Sequence, residues 1–439
     1  MRVGEAETES HHVMDLARRA RGAARILATL PDAMRKDALL TAADRLIEHA
    51  AEILHSNELD SEIARAQVEK GEMSAALFAR LQTSERGIQE MSARMREVAN
   101  LPDPIGRIIT TTLVDEGLVL EKVSCPLGVI GIVFESRPDV VPQVVSLTLR
   151  SGNAVLLKGG TEALHTNQTL VGILKRAFVS FPRIPQDSVN LLQTRESVNE
   201  LLQLESDVDL IVPRGSKEFV TYVATHSKVP VLGHGEGICH VYVDVAAALK
   251  KACDIVLDSK VQYPAACNAA ETLLVHADIA PLVLPEILGD FETAGVEVCG
   301  CDRTMAIASG AKVQAATEQD WATEYSDLRI SIKIVDSLDD AIAHINHYGS
   351  KHTETIVTED QEAAERFMQE VDAAGVYHNA STRFADGFRY GLGSELGIST
   401  SKLHARGPVG VEGLTTYKYR LRGNGHTVEE FNRRRSSQP

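Results

Sequence analysis

The stretch "NAVLLKGGTEALHTNQTLVGILKRAFVSF", residues 153–181, changes its hydrophobic period halfway along. Ala154 to Leu157 form a short apolar run ended by Lys158 and two glycines. A run of that length reads as a strand buried on both faces. Beyond Thr166 the apolar residues recur at steps of three and four. Leu170, Ile173, Leu174, Ala177 and Phe178 then share one helical face.

The same alternation continues on both sides. "GVIGIVF" (128–134), "SVNLLQ" (188–193), "VDLIVPRG" (208–215) and "VPVLGH" (229–234) read as further short strands with helical segments between them. Strands alternating with helices predict a parallel sheet covered on both faces, and dinucleotides bind such sheets at the carboxyl ends of the strands. A second alternating region begins near Ile255 and includes "ETLLVHADI" (271–279), "EVCGCDRT" (297–304), "ISIKIVDSLDDAIAHIN" (330–346) and "ETIVTEDQEAAERFMQEV" (354–371). Two α/β domains in series are therefore expected. Ahead of them, residues 13–100 carry a helical period that ends at Pro102 and Pro104. "GRIITTTLVDEGLVLEKVSCP" (106–126) reads as a β-hairpin, and "EGLTTYKYRLRGNG" (412–425) as a strand with a glycine-rich turn.

A net charge of −16 argues against nucleic acid as a partner. The one basic run, "NRRR" (432–435), reads as a solvated tail. No apolar run approaches the roughly 20 residues that span a bilayer. With the polar start "MRVGEAETESHH", that predicts a cytoplasmic protein. Six cysteines in 439 residues do not form a disulfide framework, and neither they nor the 15 histidines show metal-ligand spacing, so no metal is expected.

The usual G-x-G-x-x-G fingerprint is absent, and "GHGEGI" has its glycines at the wrong spacing. In "PRGSKEFV" (213–220), Gly215 and Ser216 stand between a strand and a helix; the turn either faces a phosphate or is an ordinary βα turn. Lys158 either contacts a ribose or phosphate, or is a solvent-facing turn residue. "QYPAACNAAETLLV" (262–275) sets Cys267 among Ala265, Ala266, Ala269 and Ala270, which leaves room for a substrate. Asn268 has an amide for a developing oxyanion. An ordinary thiol, with a pKa of about 8.5, is mostly protonated at neutral pH and needs activation. Composition alone leaves both readings of Cys267 open, packing residue or nucleophile.

Four stretches together carry a resemblance: "PLGVIGIVFESRPDVV" (126–141), "VQYPAACNAAETLLVH" (261–276), "VDSLDDAIAHINHYGSKHTETI" (335–356) and "GLGSELGISTSKLHARGPVGVEGLTTYKY" (391–419). In this order, over about residues 13–431, the chain resembles the aldehyde dehydrogenase superfamily. It is most similar to members that use NADPH to reduce L-glutamyl 5-phosphate to L-glutamate 5-semialdehyde, the second step of proline biosynthesis. Another acylating dehydrogenase, dependent on phosphate or coenzyme A, is the alternative.

The resemblance implies an α/β, aldehyde dehydrogenase-like fold: a Rossmann-type NADP(H)-binding domain (13–235, interrupted by the hairpin 106–123), an α/β catalytic domain (236–407) and a small β oligomerisation element (106–123 with 408–431). Residues 1–12 and 432–439 are expected to be disordered. It makes Cys267 the nucleophile that forms a thioester, with Asn268 beside the oxyanion. Lys158 falls on the adenosine-ribose or 2′-phosphate contact, Gly215 and Ser216 on the pyrophosphate turn, and Glu324 on the nicotinamide ribose. Arg137, Asn379, Ser381, Arg383, Lys402 and Arg406 are candidates for binding substrate. A homodimer or tetramer is implied, as is functional coupling to a separate glutamate 5-kinase. Two departures stand out. The Glu-Leu-Gly-Gly segment of hydrolytic members is replaced by "GHGEGICH", with Gly233 at the glutamate's position and Glu236 three residues on. The "Trp-Asn" segment is replaced by "ESRPD", which puts Arg137 near the oxyanion asparagine's place.

Overall fold

The computed structural model describes residues 3–194, 196–233, 235–308 and 312–436. Five helices come first: α1 (Val3–Leu27), α2 (Asp32–Glu48), α3 (Ala50–Glu69), α4 (Ala75–Leu81) and α5 (Glu85–Asn100). Ser84 caps α5, its Oγ accepting from Gly87 N–H at 3.2 Å. α1 corrects an expectation, since residues 3–12 are helical rather than disordered. Val13, Leu16, Ala17 and Ala20 dock the later part of α1 in the core. Each residue toward the N-terminus then extends a helix that is already nucleated. Residues 1 and 2 lie outside the described residues.

β1 (Ile108–Asp115) and β2 (Leu118–Pro126) form the antiparallel hairpin, with Gly117 in the turn at φ 73°. The first α/β unit follows: β3 (Val129–Phe134), α6 (Val140–Arg150), β4 (Ala154–Lys158), α7 (Leu164–Phe178), β5 (Val189–Leu191), α8 (Glu196–Leu201), β6 (Leu210–Arg214) and α9 (Lys217–His226). Its sheet is parallel, in the order β5-β4-β3-β6. Every residue of β3 and β4 is buried, and so are the five face residues of α7. "VPVLGH" departs from expectation: it contributes one bridge, Val231 against Ile211, and not a strand. Pro230 has no N–H to donate, which limits pairing there.

The second unit comprises β7 (Cys239–Val243), α10 (Leu249–Val261), β8 (Ala270–His276), α11 (Ala280–Ala294), β9 (Glu297–Gly300), α12 (Asp302–Ile307), β10 (Val313–Ala315), β11 (Arg329–Val335), α13 (Leu338–Tyr348), β12 (Thr353–Val357), α14 (Gln361–Glu370) and β13 (Gly375–His378). These seven strands make a parallel sheet in the order β10-β9-β11-β8-β7-β12-β13.

The chain then crosses back. Leu396, Val409, Val411 and Leu414 join the hydrophobic core of the first unit, so its core reaches well past residue 235. The short pair β14 (Ile398–Ser399) and β15 (Gly407–Pro408) lies in this return segment. β16 (Thr415–Arg422) pairs antiparallel with β2, completing a three-stranded sheet in the order β1-β2-β16. The chain's last helix, α15 (Val428–Ser436), corrects the expected disorder over 432–436. Glu429 and Glu430 sit in its first turn and Arg433 to Arg435 in its last, the arrangement that complements the helix dipole. Residues 437–439 lie outside the described residues. No helix among the described residues is long and apolar enough to cross a membrane.

Candidate active site

Loops leaving the carboxyl ends of β3 and β6 meet loops entering the amino ends of β7, β8 and β11, three adjacent strands of the second sheet. A cavity of about 840 Å³ lies between them, lined by Glu135, Arg214, Glu236, Cys267, Glu324 and Glu395 among others. A second cavity of about 960 Å³ also opens onto Cys267, and Gln143, Arg383 and Arg389 line it. Arg137 and Arg214 border both. A third, of about 820 Å³, continues from Phe134, Glu135 and Ser216 to Lys158 and Glu162 at the carboxyl end of β4. The result is one groove, with Cys267 where its two arms meet.

The backbone of Cys267 is held tightly. A Cβ on Gly237 would lie 1.9 Å from the Cys267 carbonyl oxygen, so only glycine fits there. The Cys239 thiol donates to the same oxygen at 3.4 Å. Burial, followed by the negative charges of Glu324 and Glu395, pushes the Cys267 thiol up to about 12, while Arg383 pulls the other way. In the free enzyme the sulfur is therefore a protonated thiol. Asn268 Nδ2 donates to Ala385 O at 2.8 Å, and its Oδ1 is buried without a hydrogen-bond partner. The amide is thus fixed at the cavity wall, with one of its two N–H groups engaged.

On the dinucleotide side, Ser216 caps α9, its Oγ accepting from Phe219 N–H at 3.3 Å. Ser216 N–H donates to Glu135 Oε2 at 3.3 Å, so a carboxylate accepts from the cap residue's own amide. A Cβ on Gly215 would stand 2.7 Å from the same oxygen. Lys158 is buried at the end of β4 and donates to Gly159 O. A helix N-terminus, a lysine and Glu162 along a groove ending at a thiol fit a nicotinamide dinucleotide.

The aldehyde dehydrogenase family pattern matches residues 3–319. A gamma-glutamyl phosphate reductase from Synechococcus sp. (strain JA-3-3Ab) is 54% identical over 94% of this chain and 90% of its own length. The crystal structure of the gamma-glutamyl phosphate reductase of Thermotoga maritima is 41% identical and superposes with a TM-score of 0.91, covering 94% of this chain and 99% of that one. The chain belongs to the aldehyde dehydrogenase family, in its gamma-glutamyl phosphate reductase branch. A glyceraldehyde-3-phosphate dehydrogenase of Methanocaldococcus jannaschii, solved with NADP, shares the fold alone at 17% identity, with a TM-score of 0.65 over 95% of this chain and 94% of that one.

Placed in this aldehyde dehydrogenase framework, the expected site residues divide into two groups. Cys267, Asn268, Lys158, Gly215, Ser216, Glu324, Arg137 and Arg383 all line the groove. Arg383 Nε donates to Gln262 Oε1 at 2.9 Å, and Arg137 pairs with Asp139 at 2.9 Å. Asn379, Ser381, Lys402 and Arg406 are corrected, since none of them borders the Cys267 cavities. Asn379, at φ 54°, accepts from Thr358 N–H at 3.0 Å and donates to Thr358 O at 2.9 Å, which pins the chain after β13. Ser381 accepts from Ser259 Oγ and Arg383 N–H, both at 3.2 Å. Lys402 and Arg406 converge on Asp372, at 2.8 and 2.9 Å, and hold its carboxyl down to about 2, chiefly through the Lys402 hydrogen bond. Their positive charge is spent on a structural carboxylate.

Glu236, three residues after the position of the water-activating glutamate of hydrolytic members, is bound to Lys217. Several groove residues escaped the sequence reading. Arg214 ends β6 as Lys158 ends β4, which was a usable signal. Gly237 stood in a motif set aside for its spacing. Glu395 lies in the loop after β13; burial raises its carboxyl, which accepts from Gly387 N–H at 2.6 Å. Lys260 and Glu271 form a fully buried ion pair at 2.6 Å. The second oxygen of Glu271 accepts from Ser326 N–H at 3.2 Å, and Ser326 is at φ 53°. That pair fixes the loop that carries Glu324.

Proposed function

We propose that the chain reduces L-glutamyl 5-phosphate to L-glutamate 5-semialdehyde and phosphate through a thioester on Cys267. The supporting observation is a thiol set where a dinucleotide-sized groove meets an arginine-lined cavity, with Glu236 held by Lys217. Cys267 Sγ attacks the acyl carbon, the C–S bond forms, and phosphate leaves with the electrons of the C–O bond and takes up the thiol proton. Covalent capture splits one difficult displacement into two easier steps. The Cys267 backbone N–H and the second amide hydrogen of Asn268 face the developing oxyanion. A bound nicotinamide dinucleotide supplies the hydride. Lys158, Gly215, Ser216 and Glu324 are the residues that would hold it. Return of electrons from the tetrahedral oxygen then expels the Cys267 thiolate and frees the aldehyde. Arg383 is the cation proposed for the substrate's α-carboxylate.

NADPH is the proposed form of the cofactor, supported by Lys158 in the groove and by the NADP-bound structure of the same fold. A kinase acting on glutamate must supply the acyl phosphate, hence the proposed link to a separate glutamate 5-kinase. Six free cysteines suit a reducing compartment, and we place the enzyme in the cytoplasm. The test runs the reaction backward, with glutamate semialdehyde and NADP. Turnover is expected to require phosphate and to be faster with NADP than with NAD. A requirement for coenzyme A in place of phosphate would overturn the reading.

A further inference from the structure

L-Glutamyl 5-phosphate carries anions at both ends, and arginines line both cavities at Cys267. Arg214 and Arg137 border both cavities that meet at Cys267, as does the exposed Arg80, whereas Arg94, Arg383 and Arg389 border only the larger of the two. The acyl carbon must be reached by Sγ from one side and by the hydride donor from the other. Its phosphoryl group therefore sits at the junction. The α-carboxylate is the fourth carbon further on, within the larger cavity.

Arg214 is built as an anion receptor at that junction. Its side chain is set on the last residue of β6 and packs against α6, where Gln143 Oε1 accepts from it at 3.2 Å. Gln143 is itself oriented, its Nε2 donating to Ser394 Oγ at 2.9 Å and Glu395 O at 2.8 Å. A neutral amide oxygen is thus aimed at the guanidinium. No carboxylate among the described residues comes within ion-pairing distance of Arg214, although Asp139 and Glu395 act on it from further away. Arg137, beside it, has Asp139 as its partner. Burial and then repulsion by Arg137 bring the Arg214 pKa down to about 10, so the half-buried group stays cationic at neutral pH beside the cavity. Guanidinium groups match phosphate oxygens in geometry as well as charge.

We infer that Arg214, assisted by Arg137, binds the phosphate that leaves the acyl group, and that Arg383 with Arg389 binds the α-carboxylate. The inference rests on the proposed reaction and deepens it. In reverse, phosphate held by Arg214 attacks the thioester carbonyl, a C–O bond forms, and the C–S bond breaks to release the Cys267 thiolate.

The two half-reactions can be read separately. Semialdehyde and NADP without phosphate give a burst of NADPH as the thioester forms, and added phosphate then gives steady turnover. In Arg214→Met, the phosphate KM is expected to rise about 10- to 100-fold, as for loss of a charge-assisted hydrogen bond, with burst amplitude and semialdehyde KM changed less than threefold. Arg214→Lys should recover part of the phosphate affinity. Arg383→Met should show the opposite split, a raised semialdehyde KM with the phosphate KM kept. An unchanged phosphate KM in both Arg214 variants, or a semialdehyde KM that rises in its place, overturns the assignment. No phosphate requirement in the wild-type enzyme overturns the proposed reaction itself, a separate and distinguishable result.

Discussion

At the scale of single residues, the thiol of Cys267 decides what the groove can do. Its proton is held by burial and by two facing carboxylates, with Arg383 as the opposing charge. The thiolate is the reactive form, so its fraction should rise about tenfold for each pH unit well below the thiol pKa. Alkylation of Cys267 by iodoacetamide in the free enzyme is therefore expected to accelerate with unit slope from pH 7 to 10. A plateau below pH 8 would contradict the geometry. The sequence carried the identity of this cysteine only through the motifs around it. Its immediate surroundings were only partly legible: Glu324 and Arg383 were reached through the resemblance, whereas Gly237 and Glu395 come from other loops, before β7 and after β13, that carry no local signal. Arg406 and Lys402 failed as candidates for the same reason: a cation's value depends on its counter-ion, and Asp372 was not legible beside them.

At the scale of elements, the loop bearing Glu324 depends on a pair it does not contain. Lys260 on α10 and Glu271 on β8 are both fully buried, and Glu271 holds Ser326 N–H. Glu271→Ala would strand the Lys260 ammonium in the interior. A loss of about 3–5 kcal/mol in unfolding free energy is expected, the usual result of breaking a buried ion pair. The double variant Lys260→Met/Glu271→Leu should recover much of that stability, since paired removal leaves no stranded charge. It should still bind cofactor more weakly than wild type, because Ser326 lacks its acceptor. Chemical denaturation and cofactor titration check the two effects. Wild-type cofactor affinity in the double variant would refute the positioning role. Strand and helix periods made most elements legible. "VPVLGH" was misread because apolar content alone does not reveal that the segment pairs at a single residue, and the early turns of α1 because helix propagation is not a local property.

At the scale of the whole molecule, Tyr417, Tyr419 and Leu421 of β16 stand exposed on one face of the three-stranded sheet, beside Leu120 of β2. Leu421 stands opposite Leu120, and Leu120 opposite Thr112; Tyr419 lies two residues along on the same face. Tyr419 is 61% exposed and Leu421 60%, and we propose that this face packs against a second copy of the chain. Leu421→Asp is expected to shift sedimentation toward monomer without altering the far-ultraviolet spectrum, and an unaltered assembly state would exclude this face. The sequence revealed two α/β units in series. It did not reveal that the chain returns to the first core through Leu396, Val409, Val411 and Leu414, because a four-residue contribution at that distance has no periodic signal.

The groove's central claim is a glutamyl thioester on Cys267. Intact-protein mass spectrometry of the enzyme, acid-quenched after incubation with NADP and glutamate semialdehyde in the absence of phosphate, reads it directly. One glutamyl group per chain is predicted, mapped to Cys267, lost on adding phosphate and absent in Cys267→Ala. An unmodified Cys267 in enzyme that has formed NADPH, or an adduct on another residue, would contradict it.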